Sequence, residues 1–261
     1  KSTEGKRIVL IGGSGAAFDC DSSMLEEFFP SYEIVNFGMY AGLGTKAVLD
    51  LSEAYIHEGD IVILSPEQSE QTLSDYFNGE YMWQAVDGAF RMLRDIKSEN
   101  FETMLGNFPG FAVEKLKYVL KGQTPQTDSV YQKKSFNEYG DIDLDVCREN
   151  VLPQGYDINQ KIRFDEDVVQ SEFLEYINDW AGRLEEAGAL VWYRYCPSNV
   201  LAVEDTKAVT SYDAFLRQEL DFPIIGNPAN SLMEAEWFFD TNFHLNQAGK
   251  KMNTIQLIRD I

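Results

Sequence analysis

The chain has 261 residues, of which 22 are basic and 43 acidic, and its formal net charge is −21. This excess of negative charge argues against nucleic acid or an anionic membrane surface as a partner, because like charges repel. The sequence also contains no stretch of about 20 apolar residues that could span a membrane.

The N-terminal part of the chain predicts a β-α-β-α-β order. Apolar runs at 7–11, 33–37 and 61–64 predict strands of a buried parallel sheet. Apolar residues at helical spacing predict helices over 16–29 and 44–57 between these strands. This alternation is typical of a parallel sheet covered by helices.

The middle of the chain, at about 73–164, departs from this order. Aromatic-rich helical patterns over 81–96 and 111–120 precede a polar stretch, 121–163, that has no clear period. We interpret 73–164 as a partly helical insertion within a single domain that covers residues 1–261, where it could form a cap or one wall of a cleft. Aromatic residues persist through the polar stretch, which argues against a disordered linker.

The αβ order resumes after the insertion. A helix is predicted over 165–187, with acidic residues at its positive end, and a strand over 189–195. A helix over 213–220, a short strand over 222–225 and a final helix over 246–261 follow. The predicted fold class is therefore α/β, a three-layer α/β/α sandwich with a flavodoxin-like parallel sheet of about five strands.

Two segments at opposite ends of the sequence carry the residue types of a serine nucleophile site. Ser14 follows the first strand in a Gly-Gly-Ser turn, at the sheet edge where open α/β proteins bind ligands. Asp240 and His244 precede the final helix, in a loop that returns to the same edge. A serine hydroxyl is a poor nucleophile unless a base takes its proton. His244 is the candidate base, because His57 ends a helix at the opposite edge and is expected on the surface.

The order of Ser14, Asp240 and His244 resembles that of the SGNH (GDSL-type) hydrolases, although three residues rather than two separate the acid from the histidine. The segment 239–246 is also similar to divergent secreted branches that act on acyl groups of cell-wall polymers or exopolysaccharides. The resemblance implies a serine esterase or acyltransferase that acts on O-acyl groups, acetyl above all, of a carbohydrate. It implies that Ser14 is the nucleophile, His244 the base and Asp240 the orienting acid, with no metal or organic cofactor.

The resemblance also implies an oxyanion hole. The backbone amides of Ser14 and of Gly42, in the loop after the second strand, would bind the oxyanion. The asparagine that the family carries after the third strand is absent, since residues 65–68 read Ser-Pro-Glu-Gln. An ionised Glu67 cannot donate a hydrogen bond, so Gln68 is the predicted third donor.

Two other functions remain open. The missing asparagine favours a non-catalytic carbohydrate-binding or scaffold protein that keeps the fold. Its aromatic residues in the insertion would stack on sugars if they are not core residues: Tyr76, Phe77, Tyr81 and Trp83. The third reading is a Rossmann-like nucleotide-binding domain, because residues 13–18 partly match a glycine-rich loop. Phe18 replaces the third glycine of that loop, and a lone partial match is weak.

The acidic residues Asp141, Asp143 and Asp145 are spaced as in the start of a calcium-binding EF-hand loop. Val146 and Leu152 stand where that loop needs glycine and glutamate. A solvated acidic loop is therefore the prediction for this stretch, with no metal site.

The cysteines and the first residues of the chain give a prediction of the protein's cellular compartment. Cys20, Cys147 and Cys196 show no CxxC spacing and form no even set, so neither a zinc site nor a disulfide framework is predicted. The chain begins with Lys1 and a polar lead, 1–6. We interpret this as a secreted or periplasmic protein whose signal peptide has been removed.

Overall fold

A parallel sheet of four strands, in the order β2-β1-β3-β4, forms the centre of the computed structural model, which describes residues 5–122, 130 and 132–261. The strands are β1 (Arg7–Gly12), β2 (Glu33–Gly38), β3 (Ile61–Ser65) and β4 (Leu190–Tyr193). β1 and β3 are buried on both faces, as a parallel sheet covered by helices requires. Most of the polar lead and residues 123–129 and 131 of the predicted insertion lie outside the described residues.

The segment predicted as the fifth strand joins β4 through a single bridge. Tyr193 is bridged in parallel to Ile224, and the backbone N–H groups of Tyr193 and Ile225 donate to Pro223 and Tyr193 at 2.8 and 2.9 Å. Pro223 has no N–H to continue a ladder, and Gly226 turns the chain away with a φ of +78°. The order is therefore that of a flavodoxin-like sheet, with a fifth position too short to count as a strand.

Helices cover both faces of the sheet and make the three-layer α/β/α sandwich. In the described part of the chain they are α1 (Ser14–Asp19), α2 (Ser22–Phe28), α3 (Thr45–Glu53), α4 (Gly79–Ala85), α5 (Ser98–Lys121), α6 (Ser171–Glu186), α7 (Ala208–Glu219) and α8 (Gln247–Asp260). Two-residue strands β5 (Ser198–Asn199) and β6 (Leu232–Met233) pair separately. None of these helices combines the length and apolar character that a membrane crossing requires.

Alternating side chains of β1 divide the core into its two layers. Val9 and Ile11 belong to the cluster that includes the apolar faces of α3, α6 and α7. Ile8 and Leu10 pack on the other face of the sheet with Leu25 of α2 and the C-terminal part of α8. Both ends of the sequence thus meet at one sheet, which places the loop before α8 near the end of β1.

Several helix boundaries differ from the predicted ones. The helix predicted over 16–29 is two helices, because the chain leaves helical conformation at Cys20 and the Asp21 side chain caps α2 by accepting from the Met24 N–H at 3.1 Å. α4 stops at Ala85. α5 is longer than predicted and continues through Pro109.

The buried position of Asp141 contradicts the predicted solvated acidic loop at this residue. Its carboxylate is buried and accepts hydrogen bonds from the Ser22 N–H and Oγ at 2.9 and 2.6 Å, and from Asn36 Nδ2 at 2.8 Å. These donors compensate for lost water and fasten the segment to β2 and α2. Asp143 and Asp145 are exposed, as predicted.

Candidate active site

The structure brings Ser14, His244 and Asp240 together at the carboxyl edge of the sheet. Ser14 begins α1 directly after β1, and its Oγ lies 2.9 Å from Nε2 of His244. The other ring nitrogen, Nδ1, lies 2.7 Å from Oδ1 of Asp240. Both distances are within the range for a nucleophile, a general base and an orienting acid. Ser14 and His244 are buried, which shields their contact from bulk water.

The loop before α8 accommodates the additional residue between Asp240 and His244. The Oγ of Thr241 accepts from the N–H groups of Phe243 and His244 at 3.2 and 3.1 Å, and this closes a tight turn. The His244 carbonyl accepts from the Phe239 N–H at 2.8 Å. The turn therefore returns the imidazole to the carboxylate although the spacing is one residue longer.

Two residues of α1 that the sequence did not single out as site residues hold His244 in place. The ring of Phe18 stacks on the imidazole with centroids 4.1 Å apart and an interplanar angle of 9°. Asp19 accepts from the Leu245 N–H at 3.0 Å and so fixes the backbone next to the histidine. Phe18 and Asp19 lie four and five residues after Ser14 in α1, slightly more than one helical turn away. This spacing is the sequence signal that could have identified them as neighbours of the site.

Burial raises the pKa of the Asp19 carboxyl well above its usual value. The hydrogen bond from the Leu245 N–H lowers this pKa in part, and the nearby Glu67 charge raises it further. A raised folded-state pKa means that the folded protein binds this proton more tightly than the unfolded chain. The contribution to stability is therefore present below the unfolded pKa of about 3.9 and is lost as pH rises toward the folded pKa.

We predict that Asp19→Asn flattens this pH dependence, because asparagine can still accept from Leu245 and has no proton to lose. Relative to wild type, the variant should gain free energy of unfolding progressively as pH rises above about 4, the range in which the wild-type carboxyl loses its contribution. Urea unfolding at several pH values measures it. Asp143→Asn, at an exposed aspartate, is the matched control. Parallel curves for wild type and Asp19→Asn would contradict the prediction.

Glu67 contacts Ser14 directly. Its Oε1 accepts from Ser14 Oγ at 3.1 Å and from the Gly15 N–H at 2.9 Å, and the side chain is buried. A Cβ at Gly13 would lie 2.8 Å from this oxygen, so glycine at that position leaves room for the carboxylate. Ser14 Oγ thus lies between the imidazole and a second carboxylate, an arrangement that the sequence did not predict.

Gln68, the predicted third oxyanion donor, is not brought to the site. Its Nε2 donates to the Arg163 carbonyl at 3.0 Å, and it does not line the cleft around Ser14. The physical reason is that residues 66–68 follow β3 as irregular backbone, which directs the Glu67 carboxylate to Ser14 and the Gln68 amide to the Arg163 carbonyl.

The cleft above Ser14 has a volume of about 410 Å³, which suits a small ligand. Gly42, the other predicted oxyanion residue, lines it from a single turn of 3-10 helix, Ala41–Leu43. A Cβ at Gly42 would lie 2.5 Å from Tyr40 Cε1 and 3.0 Å from Tyr81 Cδ2, so a side chain here would have to displace these rings. Among the residues that the structure describes, the lining also includes Tyr76 and contains no lysine or arginine.

The remaining sequence candidates lie in other settings. His57 is half-buried in the turn before β3, with its N–H donating to Asp60 Oδ2 at 2.8 Å. Trp83 is buried, and its Nε1 donates to the Met104 carbonyl at 2.7 Å, which leaves it no face for a sugar. The Glu67 carboxylate accepts a hydrogen bond from the Gly15 N–H, which a glycine-rich nucleotide-binding loop would need for binding a phosphate.

No family model and no curated protein matches the chain. Among solved structures, the crystal structure of the protein YxiM from Bacillus subtilis is similar to 98% of this chain and 56% of that chain, with a TM-score of 0.43 and 11% sequence identity. The chain thus spans little more than half the length of YxiM.

Proposed function

We propose that the protein is a serine esterase or acyltransferase of the SGNH type, acting on O-acyl groups of a carbohydrate or another small ester. The observation that carries the proposal is the line of contacts from Ser14 Oγ through His244 to Asp240, at 2.9 and 2.7 Å. The sequence resemblance supports the same three roles. The half-buried position of Asp240 suits an acid that only orients the imidazole.

In the proposed reaction, Ser14 Oγ bonds to the acyl carbon while its proton moves to Nε2 of His244. The carbonyl electron pair moves to the oxygen, which the backbone amides of Ser14 and Gly42 would bind. Collapse of this intermediate breaks the ester bond, and the departing alcohol takes the proton from His244. Water, or an acceptor hydroxyl in a transferase, then attacks the acyl-serine with His244 again as base.

The lining of the cleft supports a neutral substrate with a small acyl group. Tyr40, Tyr76 and Tyr81 offer ring faces and hydroxyls of the kind that pack against sugars. Glu67 contributes a negative charge, and no described residue of the lining is a lysine or arginine. Acetyl esters fit these properties better than acyl groups that carry a carboxylate. A secreted or periplasmic location, where such polymers occur, belongs to the same proposal.

The proposal is tested by incubating the purified protein with a fluorophosphonate, which forms a covalent bond with activated serines, and with a small aryl acetate. We expect one adduct per chain, located by mass spectrometry on the peptide that contains Ser14, together with loss of acetate hydrolysis. An adduct on another residue, or the absence of both adduct and hydrolysis, would overturn it.

A non-catalytic carbohydrate-binding protein is the second candidate, favoured by Glu67. Its carboxylate lies against Ser14 Oγ at 3.1 Å, whereas an oxyanion formed beside Ser14 would need a hydrogen-bond donor. Calorimetric binding of acetylated oligosaccharides without release of acetate would support this candidate over the esterase.

A further inference from the structure

Three tyrosines, Tyr40, Tyr76 and Tyr81, line the cleft above Ser14, and we call them the tyrosine wall. The rings of Tyr40 and Tyr81 meet edge to face, with centroids 5.0 Å apart and an interplanar angle of 76°. Tyr40 is nevertheless 45% exposed, so much of its side chain is open to a ligand in the cleft. The wall therefore offers an aromatic surface next to the candidate nucleophile.

Contacts within the protein fix the position of the tyrosine wall. Asn78 Oδ1 accepts from the backbone N–H of Tyr81 at 3.0 Å and so caps α4, and Asn78 Nδ2 donates to the Tyr76 hydroxyl at 3.0 Å. Helix α4 is in turn held by α5, because Trp83 Nε1 donates to the Met104 carbonyl at 2.7 Å. A surface that is already ordered binds a ligand with a smaller loss of side-chain freedom.

The tyrosine wall also packs against the turn that carries Gly42. The rings of Tyr40 and Tyr81 fill the space where a Cβ of Gly42 would lie. Gly44 has a φ of +92°, and the Tyr76 carbonyl leaves no room for a Cβ there. A ligand seated on the wall therefore lies beside the turn whose amide would bind the oxyanion, within the same cleft as Ser14.

The other side chains of the cleft indicate the chemistry of that ligand. Beyond the tyrosines, the lining presents uncharged amide and hydroxyl groups: Ser69, Gln71, Gln160 and Thr241. A sugar ring matches this combination, because its C–H groups pack on the negative face of an aromatic ring while its hydroxyls bond to amides and hydroxyls. An apolar chain would cover the polar groups without bonding to them. An anionic sugar would lie near Glu67, and none of the described lining residues supplies a compensating positive charge.

We propose that the tyrosine wall is a subsite for a neutral sugar ring that carries the acyl ester, with Tyr40 as the residue on which the ring stacks. This inference rests on the proposed function, because it names the part of the substrate that the cleft recognises. Two of the three tyrosines lie within 73–164, the segment interpreted as an insertion, as does Gln160. That segment would then give the enzyme its preference for carbohydrate esters.

The subsite is tested by titration calorimetry in a Ser14→Ala background, which can bind a substrate without consuming it. The ligands are neutral O-acetylated xylo-, manno- and cello-oligosaccharides. We expect at least one of them to bind, and Tyr40→Ala to raise its dissociation constant about tenfold through loss of the stacked ring. Tyr40→Phe keeps the ring and should remain within about threefold of the background protein. Tyr55→Ala is the matched control and should have no effect, since Tyr55 is 44% exposed and follows α3 at the opposite edge of the sheet.

A comparison of ligands tests the same proposal without changing the tyrosine wall, so it holds even where Tyr40→Ala fails to fold. Acetylated oligogalacturonate, which is anionic, and hexyl acetate, whose alcohol is apolar, should each bind at least about tenfold more weakly than the neutral sugar. Tighter binding of either one, absence of binding by every neutral oligosaccharide, or equal effects of Tyr40→Ala and Tyr55→Ala would overturn the proposal.

The fluorophosphonate reaction of the wild-type protein separates this subsite from the proposed esterase activity. An adduct at Ser14 without sugar binding would overturn the subsite and leave the esterase. Sugar binding that depends on Tyr40, without an adduct at Ser14, would overturn the esterase and support the subsite.

Discussion

Replacing Ser14 by alanine is expected to lower kcat/KM for aryl acetates by about 10⁴- to 10⁶-fold, the range found when a triad member is removed from a serine hydrolase. Ser14 Oγ is the atom that contacts the proposed base, 2.9 Å from His244 Nε2. Without it, the proton acceptor and its orienting Asp240 have no nucleophile to activate. Initial rates at several substrate concentrations, for both proteins, measure the loss.

The control for Ser14→Ala is Ser211→Ala, at an exposed serine of α7 far from the cleft, which should hydrolyse the ester at the wild-type rate. Folding is also expected to persist, because alanine fits the space of Ser14 and the contact between Glu67 and the Gly15 N–H remains. The urea midpoint should correspond to a change within about 1 kcal/mol. A variant as active as wild type would place the nucleophile elsewhere, and Ser69, which also lines the cleft, would be examined next.

The sheet could be predicted from the sequence because its strands carry apolar residues in short runs, and the two central strands, β1 and β3, are buried on both faces. The runs at 7–11, 33–37 and 61–64 mark the strands within a residue of their observed bounds. The strand predicted at 222–225 shows the limit of this signal. Its apolar residues pack as a strand would, but Pro223 prevents the ladder that would define one.

Helix boundaries also depend on contacts between residues far apart in the sequence, which local sequence patterns do not reveal. Asp21 divides one predicted helix into two by capping α2, and Asp141, more than a hundred residues away, holds the Ser22 N–H next to it. The predicted acidic start of α6 is a separate 3-10 turn, Glu166–Val168, and the helix begins at Ser171. Tertiary hydrogen bonds decide such cases over intrinsic propensity.

The candidate triad could be predicted because the order of elements places the end of β1 and the loop before α8 at one edge. The segments that carry Ser14 and His244 are therefore expected at the same edge of the sheet. The segment after β3 could not be predicted in the same way. Whether Glu67 or Gln68 faces the site depends on the direction of irregular backbone, and the structure turns the carboxylate toward Ser14 and the amide toward Arg163.

Replacing Glu67 by glutamine is expected to raise kcat/KM for neutral aryl acetates by about 10²-fold, if the proposed esterase reaction is correct. The carboxylate is 3.1 Å from Ser14 Oγ, so an oxyanion formed on the attacked carbonyl lies close to a like charge. Two unit charges about 4 Å apart repel by about 4 kcal/mol at an effective dielectric constant of 20. Glutamine removes this repulsion and adds an N–H donor, a group worth about 10²- to 10³-fold at an oxyanion.

Glu70→Gln supplies the matched control, because it removes the same formal charge from an exposed glutamate three residues away that pairs with Arg163 at 2.7 Å. Its rate should stay near the wild-type value, since exposed charges are screened by solvent and salt. Steady-state kinetics of the three proteins separate the two glutamates. A lower rate in Glu67→Gln would instead mean that the carboxylate assists Ser14, by accepting its proton or orienting its hydroxyl. That result would show that Glu67 does not slow the reaction, and it would leave the proposed roles of Ser14 and His244 unchanged.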